Sequence, residues 1–424
     1  MGQSLNYPKS RWFVLLTAFA CYLSVGCFII MLSPIVGLIS QEFGLTPGEV
    51  SFYGMGLFNI INAVSIIFSG VLYDRFGIKR VLTVSAIGVL IIALLLPVFL
   101  QTITGLIAFR ILLGILGGPI AGCLAPLGAA WFPPNERGLC SGVVSAALPV
   151  GITLSLMIMG FRLGATQGDW RAALYTLTII PAVVVVLLVI MLITTRKVVL
   201  PVTEQDAALE GAQKKLFASI LKAPAIWITI VAYCCYTLCM NSFTDLSPGY
   251  IAIDPPMGLG YGADTASFMS MLTSIGNIVG AILTGLILDK VLKGKVRPIL
   301  VTAFIVQCIC VFLVRFHFVT DTTPLFMVML FLVGFSITAA ACSLTTFIML
   351  RFPMGVNGRV FSFSMGAGLL MGSVGLSISS AMLHFSGGYL LPLLFITIIA
   401  IVGIIPSVLL EKASISKEQF SEIA

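Results

Sequence analysis

Few side chains in this sequence could do chemistry, and the most conspicuous is a cation in an apolar run. Arg110 interrupts LIAFRILLGILGG, Leu106 to Gly118, which carries no other charge. A guanidinium within a hydrocarbon span costs about 2.5–3.5 kcal/mol on insertion scales, so it must face protein or water. Its planar fork stays charged and fits a carboxylate through two parallel N–H bonds. The same fork would also cap carbonyls of a neighbouring helix or tune a proton relay, and the sequence leaves all three open. Asp245, in NSFTDLSPG, is a candidate for proton coupling, because burial favours a neutral carboxyl. It stands roughly 20 residues along its helix, about 30 Å by helical rise, so capping or exposure at the outer mouth is the plainer role. Tyr22, Tyr236, Asn62, Asn277 and Ser336 offer hydroxyls and amides that would replace a ligand's lost hydration. Such groups also bond helix carbonyls routinely.

Other chemistries lack their residues. Only His317 and His384 are present, and the ten cysteines all lie in apolar runs, the pattern of small buried hydrophobes. There is no metal-ligand spacing, no phosphate-binding glycine loop and no Ser/His/Asp arrangement, so neither an enzyme nor a cofactor or metal is expected. The elements that must position Arg110 follow from composition. Hydrophobic residues make up 59% of the 424 and charged residues 9%, against roughly 25% charge in a soluble domain. The lipid bilayer is therefore the solvent, and runs of about 20 apolar residues are its helices.

Twelve spans emerge, over roughly 12–38, 51–73, 80–100, 104–131, 138–160, 172–195, 224–251, 264–288, 297–317, 323–350, 358–383 and 387–410. The fold class is all-α and polytopic, as two pseudo-symmetric six-helix bundles. Residues 1–195 form the first bundle, 196–223 a cytoplasmic linker, 224–411 the second bundle and 412–424 a cytoplasmic tail. The segment KKLFASILKA within the linker reads either as an amphipathic surface helix or as a solvated connection. With both termini inside, every Lys and Arg except Arg110, Arg162, Arg171 and Arg315 lies on the cytoplasmic side, while the acids divide more evenly. The net charge of +7 is thus a topology signal, and no nucleic-acid partner is implied. No Asn-x-Ser/Thr acceptor occurs, which fits a prokaryotic inner membrane.

The halves repeat. GVLYDRFGIKR, Gly70 to Arg80, has a looser copy in GLILDKVLKGKVR, Gly285 to Arg297. Asn62 and Asn277 stand at matching distances before them, and Phe132-Pro133 matches Phe352-Pro353, each followed by an arginine, Arg137 and Arg359. Parallel repeats of this kind place a substrate site near the midplane at their junction. Each acid lies at the end of a helix, where the free amides and macrodipole of a following helix start would hold it. Asp74 is expected to bond the start of helix eleven, and Asp289 the start of helix five near Arg137, as gate contacts.

GVLYDRFGIKR resembles the loop signature of the major facilitator superfamily, G-x-x-x-D-R-x-G-x-R/K-R/K, at every specified position, including Asp74, Arg75 and Arg80. LIAFRILLGILGG resembles the same superfamily's fourth-helix pattern through Arg110 and Gly114. The stretch from Arg110 through Trp131, Pro133, Pro134 and Arg137 is similar to organic-anion permeases of the anion:cation symporter, oxalate/formate and monocarboxylate types. It departs from many proton-coupled members at Gly117, where they carry a glutamate. The resemblance implies a monomeric secondary transporter working by alternating access on a small organic anion, by proton symport, anion exchange or uniport, with net inward movement favoured. Efflux of lipophilic compounds is the alternative, and a non-transporting membrane sensor a third.

Overall fold

The computed structural model describes residues 7–32, 35–45, 49, 50, 52–166, 169–198, 213–352 and 354–410, and every regular element among them is helical. Ten helices are long and apolar enough to cross a membrane. Two 17-residue helices, Ile78–Leu94 and Arg297–Leu313, complete the twelve. The expected linker is described only at its two ends, and the expected tail lies outside the described residues.

Two compact units divide the chain. Unit 1 comprises Met1–Pro133, Ala147–Gln213 and Pro353–Gly366, and unit 2 comprises Pro134–Ala146, Lys214–Phe352 and Ala367–Ala424. The units therefore follow the two halves of the sequence except at the starts of the fifth and eleventh spans, each of which is counted with the other unit.

In unit 1, α1 (Arg11–Ile29) stops well short of the end of the apolar run, and a separate short helix, α2 (Val36–Phe43), follows. The intervening stretch contains Pro34, whose missing N–H and ring disfavour helix continuation. Gly44 ends α2 in the left-handed region at φ 66°, its N–H returning to the Ser40 carbonyl. The second span is α3 (Leu57–Phe76), which takes Asp74 and Arg75 into its last turn. α4 (Ile78–Leu94) is the third span. The fourth is divided into α5 (Ile103–Gly122) and α6 (Leu124–Trp131). Pro126 has no N–H for the Gly122 carbonyl, which accounts for the break between them. α5 opens with Thr102, whose hydroxyl accepts from the Gly105 N–H at 3.0 Å. The fifth span is α7 (Arg137–Ala165), and the sixth consists of α8 (Trp170–Tyr175) and α9 (Ile179–Thr194).

In unit 2, α10 (Gln213–Ile220) precedes α11 (Pro224–Ala252) and α12 (Gly262–Lys290). α13 (Arg297–Leu313), α14 (Thr323–Arg351), α15 (Met354–Ser386) and α16 (Leu390–Leu409) complete the chain. All ten cysteines are free, and all but Cys234 and Cys308 are buried, consistent with a packing role.

Two glycines of the repeated motif stand at close backbone approaches. In unit 1 a Cβ on Gly70 would lie 2.7 Å from the Arg359 Cα. In unit 2 a Cβ on Gly285 would lie 2.5 Å from the Gly138 carbonyl oxygen. Both are backbone obstacles, which cannot rotate aside. Gly285→Val should therefore lower the thermal midpoint of the detergent-purified protein by several degrees, the effect of overpacking worth about 1–3 kcal/mol. Gly388→Ala, where nothing lies within 4 Å of the added carbon, should leave the midpoint unchanged in the same assay.

Candidate functional site

Arg110 is wholly buried in unit 1. Its Nη1 donates to the Phe28 carbonyl at 2.7 Å and the Ile29 carbonyl at 3.2 Å. Those are last-turn carbonyls of α1, acceptors that a helix cannot satisfy itself, and a cation there also meets the negative end of the helix dipole. Two charge-assisted bonds of about 1.5–3 kcal/mol each are enough to offset the insertion cost of roughly 2.5–3.5 kcal/mol. The charge is thus tolerated without a ligand. Yet Nε and Nη2 have no hydrogen-bond partner among the described residues. These two atoms form one edge of the guanidinium, with parallel N–H bonds, the edge that grips a carboxylate.

About two turns further along α5 stands Gly117, which faces Asn62 of α3. Asn62 is buried in α3 and its Oδ1 lacks a partner among the described residues. A Cβ on Gly117 would stand 3.3 Å from that oxygen and 3.3 Å from Val25 Cγ1 of α1. α1, α3 and α5 therefore meet at Gly117, and α1 and α5 meet again at Arg110.

Other candidates spend their polar atoms locally or lie elsewhere. The Ser336 hydroxyl donates to the Val333 carbonyl of its own helix at 2.8 Å, and the Tyr236 hydroxyl to Met240 Sδ at 3.2 Å. Tyr22 is buried in α1. In unit 2 the Asn277 carbonyl accepts from the Thr338 hydroxyl at 2.7 Å, while its Oδ1 has no partner among the described residues. Asp245 lies in the last third of α11, apart from Arg110, which belongs to unit 1.

The gate candidates separate into two chemistries. In unit 1, Asp74 forms an ion pair with Arg359 near the start of α15. In unit 2, Asp289 Oδ1 accepts from the Gly138 N–H at 2.8 Å and Oδ2 from the Leu139 N–H at 2.6 Å. These are first-turn amides of α7, donors with no partner inside their own helix. Arg137 Nη1 donates to the Met349 carbonyl at 2.6 Å, in the last turns of α14. Arg75 lies over the Phe76 ring at 5.3 Å, and Arg80 is exposed.

Several contacts carry no signal in the sequence. The hydroxyl of Tyr73, within GVLYDRFGIKR, donates to the Pro119 carbonyl of α5. Lys79 Nζ donates to the Thr195 carbonyl at 3.1 Å and lies 5.0 Å from the centre of the Trp131 ring, tying three spans of unit 1. At the opposite end, Arg171 forms an ion pair with Glu42 of α2, donates to the Leu100 carbonyl and stacks on Trp170.

The sequence profile of the Major Facilitator Superfamily matches residues 14–376. The chain belongs to that superfamily. It is a multi-pass membrane protein of a family of transporters rather than enzymes. The hexuronate transporter of Bacillus subtilis is 22% identical to it over 279 residues, 65% of this chain and 61% of that one. Multidrug resistance protein MdtG of Yersinia enterocolitica is 27% identical over 368 residues, 85% of this chain and 83% of that one. The chain spans about half to three-fifths of the length of two of its curated relatives. A solved superfamily structure, the proton:xylose symporter XylE bound to 6-bromo-6-deoxy-D-glucose, superimposes with a TM-score of 0.76 at 16% identity, covering 98% of this chain and 99% of that one. At that identity the likeness is one of fold.

The Glu42–Arg171 pair gives this superfamily member a measurable acid response. The Arg171 guanidinium, helped by the Trp170 indole N–H, holds the Glu42 carboxyl below its ordinary value of 4.5. A carboxyl lowered in the folded state stabilises it above the unfolded value, and that contribution is lost as pH falls through the lowered one. Thermal midpoints of wild type and Glu42→Gln should therefore differ at pH 7 and converge as the pH is taken below about 4.

Proposed function

We propose that this protein is a secondary transporter that moves a small organic anion, a carboxylate in type, by alternating access, with Arg110 holding the anion. The observation that carries this reading is the buried Nε–Nη2 edge, two parallel charged donors left without partners among the described residues. A carboxylate satisfies both at once. The hexuronate transporter among the relatives supports an anionic cargo. Gly117, about two turns from Arg110 on the same helix, supplies no titratable group, which favours anion exchange or uniport over proton symport. Neutral or cationic efflux is the second reading, and the longer match to MdtG favours it.

Arg110→Lys separates the two readings without discarding the cap on α1, since an ammonium still donates to the Phe28 and Ile29 carbonyls but has no bidentate edge. Carboxylate counterflow in proteoliposomes should fall at least tenfold in this variant, with the thermal midpoint nearly kept. Dye extrusion that persists undiminished, with no carboxylate counterflow in wild type, would select efflux.

Asp74 with Arg359, and Asp289 with the Gly138 and Leu139 amides, act in this proposal as latches that release during the cycle. Asp289→Asn keeps the shape of the side chain and gives up its charge and one acceptor oxygen. With Cys140, buried beside this contact, as the sole cysteine, the variant should speed maleimide labelling several-fold. Unchanged labelling and unchanged transport would sink the latch.

A further inference from the structure

In addition to Arg110, unit 1 buries a second polar group with unmet needs. Asn62 is 7% exposed, and its Oδ1 has no partner among the described residues. A buried amide oxygen without a donor costs about 1–3 kcal/mol, whereas a leucine would fill the same volume at no such cost. Packing therefore does not explain the amide. Val25 and Phe28 locate the two groups relative to each other. Val25 Cγ1 and Asn62 Oδ1 both lie 3.3 Å from the Cβ position of Gly117, and Arg110 bonds the Phe28 carbonyl. Three residues of α1 separate these contacts, a rise of about 4.5 Å. The guanidinium thus lies against α1 about one turn from the point where Val25 faces Gly117, the residue next to the carboxamide.

Their chemistries are complementary but not mutually satisfied. Arg110 offers a pair of charged donors, and Asn62 offers a lone acceptor. A simple carboxylate answers only the first. A ligand that answers both must also bear a hydroxyl, several bonds away from its carboxylate, to donate to Asn62 Oδ1. The acceptor is uncharged, so it does not compete with the ligand's carboxylate for the guanidinium. A side chain at position 117 would stand against that oxygen, so the glycine leaves it uncovered on the α5 side.

We infer that the Arg110 site takes a polyhydroxylated carboxylic acid, a sugar acid in type, with a ligand hydroxyl donating to Asn62 Oδ1. The inference rests on the anion reading of Arg110. Asn62 is then a specificity-determining residue, and the unpartnered atoms of both groups are buried in this structure, so ligand entry requires α1 or α3 to shift against α5. A site built to bond a hydroxyl rejects the analogue that lacks it, because its own polar group is then left unpaired.

The test uses the full-length protein in detergent and two sets of acids of equal chain length. D-gluconate, D-glucuronate and D-galacturonate carry hydroxyls, whereas hexanoate and adipate carry none. Binding is read by isothermal calorimetry and by thermal shift. At least one sugar acid should bind ten or more times tighter than hexanoate and adipate, and Asn62→Leu should shrink that ratio towards one. Asn62→Thr, which keeps an acceptor, should retain part of it and guards against a folding defect in the leucine variant. Equal binding of both sets, or a ratio unmoved by Asn62→Leu, would overturn the role of Asn62 while leaving the anion reading intact. Failure of all five acids to bind would overturn the anion reading itself, and this inference with it.

Discussion

Backbone meets backbone at Gly70 and Gly285, and the aspartate contacts of the repeated motif depend on that approach. With no side chain at either position, a helix start can come within van der Waals distance of α3 in unit 1 and of α12 in unit 2. Asp74 and Asp289 follow their glycines by four residues, one turn along the same face. Each carboxylate is thereby delivered to the helix start that the glycine has admitted. A larger residue at the glycine would move the acceptor away from its donors as well as strain the crossing. The motif is a contact surface first and a charge cluster second.

Arg110 shows how one side chain can be both structural and available. Its Nη1 serves the last carbonyls of α1, which accounts for its tolerance in an apolar helix. Its other edge is held in place by that same attachment. A fork fixed through one nitrogen has lost its rotamer freedom before a ligand arrives, so less entropy remains to be lost on binding. Among the described residues, no acid pairs with it to quench that edge.

Much of the architecture was legible because it is written in local pattern. Apolar runs of bilayer length, the Lys and Arg distribution and the repeated motif give twelve helices without any tertiary information. The break after Ile29 and the one at Cys123 each lie near a proline, but hydropathy is insensitive to a missing N–H and runs straight through. The partners of Arg110 were not legible. Phe28 and Ile29 lie some 80 positions earlier and contribute carbonyls, which every residue possesses, so no side-chain type marks them. Glu42 and Arg171 are similarly remote, and in the sequence they are merely two of many surface charges. Ser336 and Tyr236 had suitable chemistry but satisfy it within their own helices.

The two aspartates of the repeat differ in what could compensate for their loss. Asp74 meets a side chain, so exchanging the charges between positions 74 and 359 preserves an ion pair, and the two positions are free to drift together. The hydrogen bonds that Asp289 accepts among the described residues come from main-chain amides, those of Gly138 and Leu139. No substitution at either partner supplies a replacement, because every residue other than proline presents the same N–H. One half of the duplicated device is therefore open to reciprocal change over evolutionary time, while the other is tied to a single carboxylate.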